Sequence, residues 1–190
     1  MELLTGIFSA FGLSASAGLN AYIPLMVIAV IARYTDWFKL QAPFDTLTNP
    51  WIMILIGVLI IIEFLADSFP AVNHINDAIQ TFIRPVAGAI VFAASAQVLT
   101  DISPVFSLAC GLLVAGGVHT VKAAAVRPAV TATTGGAANP LVSLTEDVVA
   151  TVTSVLAMLI PVLMAGLVII MTSLLIWWLV RRMNRTTTAS

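Results

Sequence analysis

Long uncharged stretches dominate the chain, and polar residues interrupt them at intervals that fit membrane crossings. Residues 3–32 and 148–180 carry no charge at all. Breakers and charges divide the rest, giving apolar segments at about 7–32, 50–66, 76–99, 104–126, 142–160 and 161–183. A helix needs about 20 apolar residues to cross the hydrocarbon core. The pattern therefore predicts an all-α, polytopic transmembrane helical bundle of about six segments, spanning residues 1–183 as one domain and ending in a short polar cytoplasmic tail, 184–190. The last boundary is the weakest. Residues 148–180, taken as one helix, would run about 50 Å at 1.5 Å per residue, so the run must break or kink, and Pro161 and Gly166 offer the place. Five spans and a re-entrant piece are the alternative.

Punctuation supports these divisions. Trp37 and Trp51 flank the first long loop as interfacial aromatics do. Pro70 with the run NHIND separates the second and third segments, and Asp101 with Pro104 the third and fourth. RPAVTATTGGAANP, rich in Thr, Gly and Pro, separates the fourth and fifth. The cluster Arg181, Arg182, Arg185 belongs on the cytoplasmic side by the positive-inside rule. Six crossings then place both termini in the cytoplasm, in a plasma (inner) membrane. No Lys or Arg precedes Arg33, so the N-terminus reads as a retained first span.

Composition agrees with this class. The 190 residues are 60% hydrophobic and only 9% charged, with a mean hydropathy of +1.07, where soluble domains carry about 25% charged residues. The net charge of −1 leaves no footprint for nucleic acid. Expected partners are the lipid bilayer and either a second copy or another membrane protein. Cys110 is alone, so no internal disulfide forms, and no metal-ligand spacing exists. No cofactor is expected. The chain also lacks a G-x-S-x-G elbow, an H-E-x-x-H motif and a Walker A loop, and is read as non-enzymatic.

The charges that do occur cluster. Glu63, Asp67, Asp77, Arg84, Asp101, Lys122, Arg127, Glu146 and Asp147 all fall within the membrane domain, together with His74 and His119. An ion at the bilayer centre costs roughly 2.5–3.5 kcal/mol even on the gentle insertion scale, so such groups should face partners or a cavity. Glu63 and Asp67 share a helix face at i, i+4. Asp77, Thr81 and Arg84 would make one stripe, with His74 three residues before Asp77, and Arg84 should pair with Asp77 or Glu63. His119 and Lys122 share another face, where Lys122 could meet an acid from a different span. Arg127, near a span end, is read as snorkelling to headgroups. Ser143-Leu-Thr-Glu146 has the form of a capping box, which gives Glu146 a structural role. Asp147 with Ser143, Thr151 and Ser154 draws a polar stripe. In the first segment Ser9, Ser16 and Asn20 share a face, and Ser14 with Gly18 has the small-xxx-small spacing of close helix packing. Pro24 frees the carbonyl of Asn20. Asn20, Glu63, Asp67, His74, Asp77, Arg84, His119, Lys122 and Asp147 are thus the candidate substrate- or ion-binding residues, with no catalytic or metal-ligating residue among them.

GLSASAGLNA (12–21) and GLLVAGGVHT (111–120) align without gaps, placing Asn20 opposite His119. Two inverted three-helix halves, the plan of many secondary transporters, would explain this, as would chance similarity between small-residue-rich segments. The readings left by the residues are a small-solute or ion transporter or channel, and a non-transporting accessory, assembly or stabilising subunit.

GLSASAGLNAYIPL, IEFLADSFPAVNHINDAIQTFIRPVAGA, the His119/Lys122/Arg127 set and SLTED together resemble the DUF4126 family of small bacterial membrane proteins. The resemblance covers about residues 8–165 and implies an intact membrane domain without implying an activity. Ser68 stands where that family usually has a lysine and Asn73 where it usually has an acid, so any role of such a pair is missing here.

Overall fold

A computed structural model describes residues 2–36, 38–68, 70–99 and 103–160, with isolated positions beyond; the side chains of 2–5, 67–68, 70–75, 77 and 97–99 are not among those described. The expected sixth segment, 161–183, lies outside the described residues. The order is α1 (Glu2–Leu19), α2 (Tyr22–Tyr34), a 3-10 turn (Phe44–Thr48), α3 (Pro50–Ser68), α4 (Pro70–Leu99), α5 (Pro104–Val121), a π-helical turn (Lys122–Val126), α6 (Arg127–Thr134) and α7 (Asn139–Leu159). Among the described residues all regular structure is helical. Among the described residues three helices are long and apolar enough to cross a membrane, Ala78–Ala96, Pro104–Thr134 and Asn139–Leu159, and the apolar stretches of α1, α2 and α3 are shorter.

The first expected segment is two helices. In a continuous helix the N–H of residue 24 would bond to the Asn20 carbonyl, but Pro24 has no N–H and its ring crowds that carbonyl. Asn20 then caps the new start: its Oδ1 accepts the N–H groups of Tyr22 at 3.0 Å and Ile23 at 3.1 Å. Three other boundaries move. Pro70 sits at the start of α4 rather than between helices, so NHIND is helical, because proline is tolerated where its missing N–H has no partner anyway. The fourth segment runs on past Arg127 to Thr134 and ends at Gly135 and Gly136, whose positive φ values of 62° and 89° only glycine adopts readily. Finally, α7 starts at Asn139, so Ser143 lies inside it and caps nothing.

α1 is the hub and packs on α4, α5 and α7. From Gly6 to Ala29 no residue of the α1–α2 pair is fully exposed, as expected of a helix that is apolar all round. Close approach replaces large side chains. The core is mostly small, with Ala10, Ser14, Ala17, Ala87, Ala94, Ala115, Ala150 and Ala157 at its contacts. Ile54, Leu55, Ile61, Phe82, Leu113 and Val148 face outward. Polar and small inside with large and apolar outside is the inverse of a soluble protein, and it is the arrangement a lipid surrounding selects. The serines tie the helices together: Ser14 Oγ donates to the Gly111 carbonyl at 2.8 Å, Ser16 Oγ to the Ala150 carbonyl at 2.7 Å, and Ser9 Oγ to the Ala157 carbonyl at 2.7 Å. In the loop after α2, Lys39 lies 2.9 Å from Asp36 and holds its exposed carboxyl below the ordinary range.

The α4–α5 crossing leaves no room for a side chain. A Cβ at Gly111 would run into the Gly88 carbonyl, and one at Gly88 into the Ala115 Cβ, whereas one at Gly117 would meet nothing within 4 Å. Gly111→Val is therefore expected to destabilise the purified protein by about 1–3 kcal/mol or more, the usual cost of overpacking, while Gly117→Ala leaves it unchanged. Thermal unfolding in detergent checks this, and equal midpoints for the two variants would contradict the packing described.

Candidate functional site

The helix interruption at Asn20 leaves carbonyls with no helical partner. In an unbroken helix the Leu19 carbonyl would accept from the Ile23 N–H, but that N–H is held by the Asn20 side chain. An unpaired carbonyl in hydrocarbon costs several kcal/mol. The partner arrives from α5: Lys122 Nζ donates to the Leu19 carbonyl at 3.1 Å and lies 2.6 Å from Glu146 Oε2 on α7. Lys122 is only 3% exposed. The Asn20 amide completes the junction by donating from Nδ2 to Asp147 Oδ1 at 2.9 Å.

A second interruption sits beside the first. Pro128 cannot donate to the carbonyl four residues back, and the chain widens into a π turn in which the Arg127 N–H bonds to the Lys122 carbonyl. In an α-helix, side chains five apart diverge by about 140°. The wider turn brings Lys122 and Arg127 to one side, and both turn inward. Arg127 Nη2 is 3.7 Å from Glu146 Oε2 and donates to Ser143 Oγ at 3.3 Å. Such bulges concentrate at functional sites.

The charges continue across α3, α4 and α5. Arg84, 1% exposed, donates from Nη2 to Glu63 Oε1 at 2.9 Å, and Glu63 itself is 3% exposed. Arg84 Nη1 lies 3.2 Å from His119 Nδ1. A guanidinium only donates, so Nδ1 is the acceptor and His119 carries its proton on Nε2, which donates to Thr81 Oγ1 at 3.1 Å. His119 and Lys122 are one turn apart on α5 and its π turn, so the two groups form one buried cluster. Among the described residues its formal charges cancel: Glu63, Glu146 and Asp147 against Arg84, Lys122 and Arg127.

Of the nine candidate residues, the structure brings together Asn20, Glu63, Arg84, His119, Lys122 and Asp147. The side chains of Asp67, His74 and Asp77 lie outside the described residues. Three readings change. Glu146 is the partner of Lys122 rather than the far end of a capping box, because α7 begins four residues before Ser143. Arg127 is buried on Glu146 instead of reaching headgroups, because the π turn rotates it inward. Thr151 is exposed and bonds back to the Asp147 carbonyl at 2.8 Å, so the inward face of α7 is Ser143, Ala150, Ser154 and Ala157. Among the described residues of α4 the buried polar side chains are Gln80, Arg84 and, farther along, Ser95, while Thr81 lies at the edge. The sequence reading did not single out Gln80, and it left Glu146 and Arg127 out of the candidate site as a capping residue and a headgroup anchor. The signal for Arg127 was Pro128, which predicts a disturbed turn just before it.

Removing one member of a buried pair strands the other, typically at about 3–5 kcal/mol. Arg84→Ala is expected to lower folded yield sharply, and Arg84→Gln combined with Glu63→Gln to recover part of it. Fluorescence-detected size-exclusion of detergent extracts reads this. Strictly additive losses would mean that the two side chains do not act as a pair.

No curated protein and no solved structure matches this chain. The family model described as a domain of unknown function, DUF4126, matches residues 7–182. A match over nearly the whole length, together with the helical fold and its apolar exterior, assigns the protein to the DUF4126 family.

Proposed function

We propose that this protein is a small membrane transporter in which a charged or polar solute is handled at the buried cluster between the two interrupted helices. The observation that carries this reading is the meeting of the α1–α2 break and the α5–α6 π turn at one set of paired charges. Interrupted helices near the membrane midplane, with freed backbone groups beside ionisable side chains, are a recurrent design of secondary transporters. Ionisable groups kept inside a membrane domain are otherwise expensive.

Inverted halves fit the same reading. The offset that aligns Asn20 with His119 carries α1–α2 (2–34) onto 101–133, which is α5 with its π turn and α6. It carries α3 (50–68) onto 149–167, overlapping α7. Under this offset the first half would open with the α1–α2 break and the second with the π turn between α5 and α6. Three crossings in each half would give them opposite orientations and put both termini in the cytoplasm of a plasma-membrane protein. Glu63 has the most apolar sequence setting among the acids, but it is locked against Arg84. Asp147, half-buried and hydrogen-bonded to the cap residue of α2, is the better candidate for a group that changes partners during a cycle.

A second reading has its own observation. Among the described residues the cluster is charge-balanced, which suits an accessory or stabilising subunit whose ion pairs only hold helices together. Reconstitution separates the two. Wild-type protein in proteoliposomes is expected to carry solute flux, tested over a panel of small anions, cations and amino acids under either sign of potential. Asp147→Asn retains an acceptor for Asn20 and should fold normally, yet lower flux at least tenfold. No flux from wild type over the whole panel would favour the accessory reading, and full flux from Asp147→Asn would remove that residue from the mechanism.

A further inference from the structure

We infer that the break between α1 and α2 is a monovalent-cation site, which the chain fills with its own Lys122 ammonium. Two oxygens hold Lys122 Nζ, the Leu19 carbonyl at 3.1 Å and Glu146 Oε2 at 2.6 Å, and carbonyl and carboxylate oxygens are the donor types that hard cations take. The carbonyl belongs to the C-terminal end of a half-helix, where the backbone dipole is negative, and such ends coordinate sodium or protons in interrupted transporter helices. Nothing points to a transition metal, since no group of three His, Cys, Asp or Glu gathers among the described residues.

The valence follows from the charge balance. Arg84 is matched by Glu63. Among the described residues that leaves Lys122 and Arg127 against Glu146 and Asp147. Take away the Lys122 ammonium and one negative charge is left over in a buried place, so a single positive charge restores neutrality and a divalent ion overshoots. Residue type points the same way. A lysine ammonium is a compact point charge with three donors, whereas a guanidinium is a wide planar fork. Arg127 approaches the same carboxylate only to 3.7 Å and turns to Ser143, whereas Lys122 reaches into the break itself.

Where other membrane proteins draw a cation from solution to steady such a break, this chain carries one covalently. Under the transport reading, on which this consequence alone rests, wild-type flux is indifferent to replacing sodium or potassium by choline. The site itself stands on the geometry, and it is tested without any transport.

The test compares thermal unfolding of purified wild type, Lys122→Ala and the double variant Lys122→Ala with Glu146→Gln, each in sodium, potassium and choline chloride at equal ionic strength. Wild type should unfold alike in all three. Lys122→Ala, expressed and purified in sodium, should be weakened in choline and regain roughly 5–10 °C in midpoint as sodium or potassium saturates the site. The double variant lacks both the ammonium and the charge that calls for a cation, and should lose that response. Equal midpoints for Lys122→Ala in sodium and choline would overturn the inference, because Arg127 then neutralises Glu146 unaided. So would a Lys122→Ala protein that fails to fold in any alkali cation while the double variant folds. Absence of flux in wild type, by contrast, bears on the transport reading and leaves the cation site standing.

Discussion

One carbonyl organises this molecule. Interrupting a helix in hydrocarbon frees backbone groups that have no water to turn to, and each must find a partner within the protein. Pro24 forces the interruption, and Asn20 settles the amides by capping α2. That same capping diverts the Ile23 N–H and leaves the Leu19 carbonyl without its helical donor. Lys122 answers it from another helix. A buried ammonium in turn requires an acid, which brings in Glu146 and with it the register of α7 against α1. The Ser9, Ser16 and Asn20 hydrogen bonds to Ala157, Ala150 and Asp147 fix that register at three heights.

Helix packing sets the distance over which those bonds can act. Lys122 reaches the Leu19 carbonyl only because α1 and α5 approach closely, and the contacts that permit it are Gly18 against Ala115 and Val118. Hydrophobic burial cannot drive such association in lipid, where the surroundings are as apolar as leucine. Small residues therefore do two things at once. They let backbones touch, and they leave the bulk of the apolar side chains for the outer surface, where Leu113, Phe82 and Ile61 lie exposed.

Much of this was legible from residue order. The apolar runs located most of the helices, the Pro24–Asn20 relation marked a freed carbonyl within what reads as one segment, and the scarcity of charge marked Arg84, Glu63 and Lys122 as paired groups. What escaped was geometry that depends on turn type. Ser143 to Glu146 has every residue of a capping box, and only the actual start of α7 at Asn139 removes the helix terminus it would cap. Arg127 near a span end looks like a headgroup anchor as long as the helix is taken as regular. Five positions after Lys122 it would point elsewhere, and one π-bonded turn brings it to the same carboxylate. Asp77 was as good a partner for Arg84 as Glu63 by spacing on a helix, and the choice between them required knowing how α3 lies against α4.

Charge balance explains why a cluster of this kind persists at all. A lone ion pair in hydrocarbon holds its helices only weakly, since desolvation offsets most of the attraction. Here each cation has a hydrogen-bonding duty beyond its acid: Arg84 fixes the His119 tautomer, Lys122 satisfies a backbone carbonyl, and Arg127 bonds to Ser143. Replacing the pairs by apolar residues would take one hydrogen bond from that carbonyl, that imidazole and that hydroxyl. The interrupted helices and the charges thus require each other: the break supplies the carbonyl that Lys122 satisfies, and Lys122 in turn draws Glu146 inward. Under the transport reading proposed above, that mutual requirement is the physical reason to look for the working part at the junction rather than on a surface of the bundle.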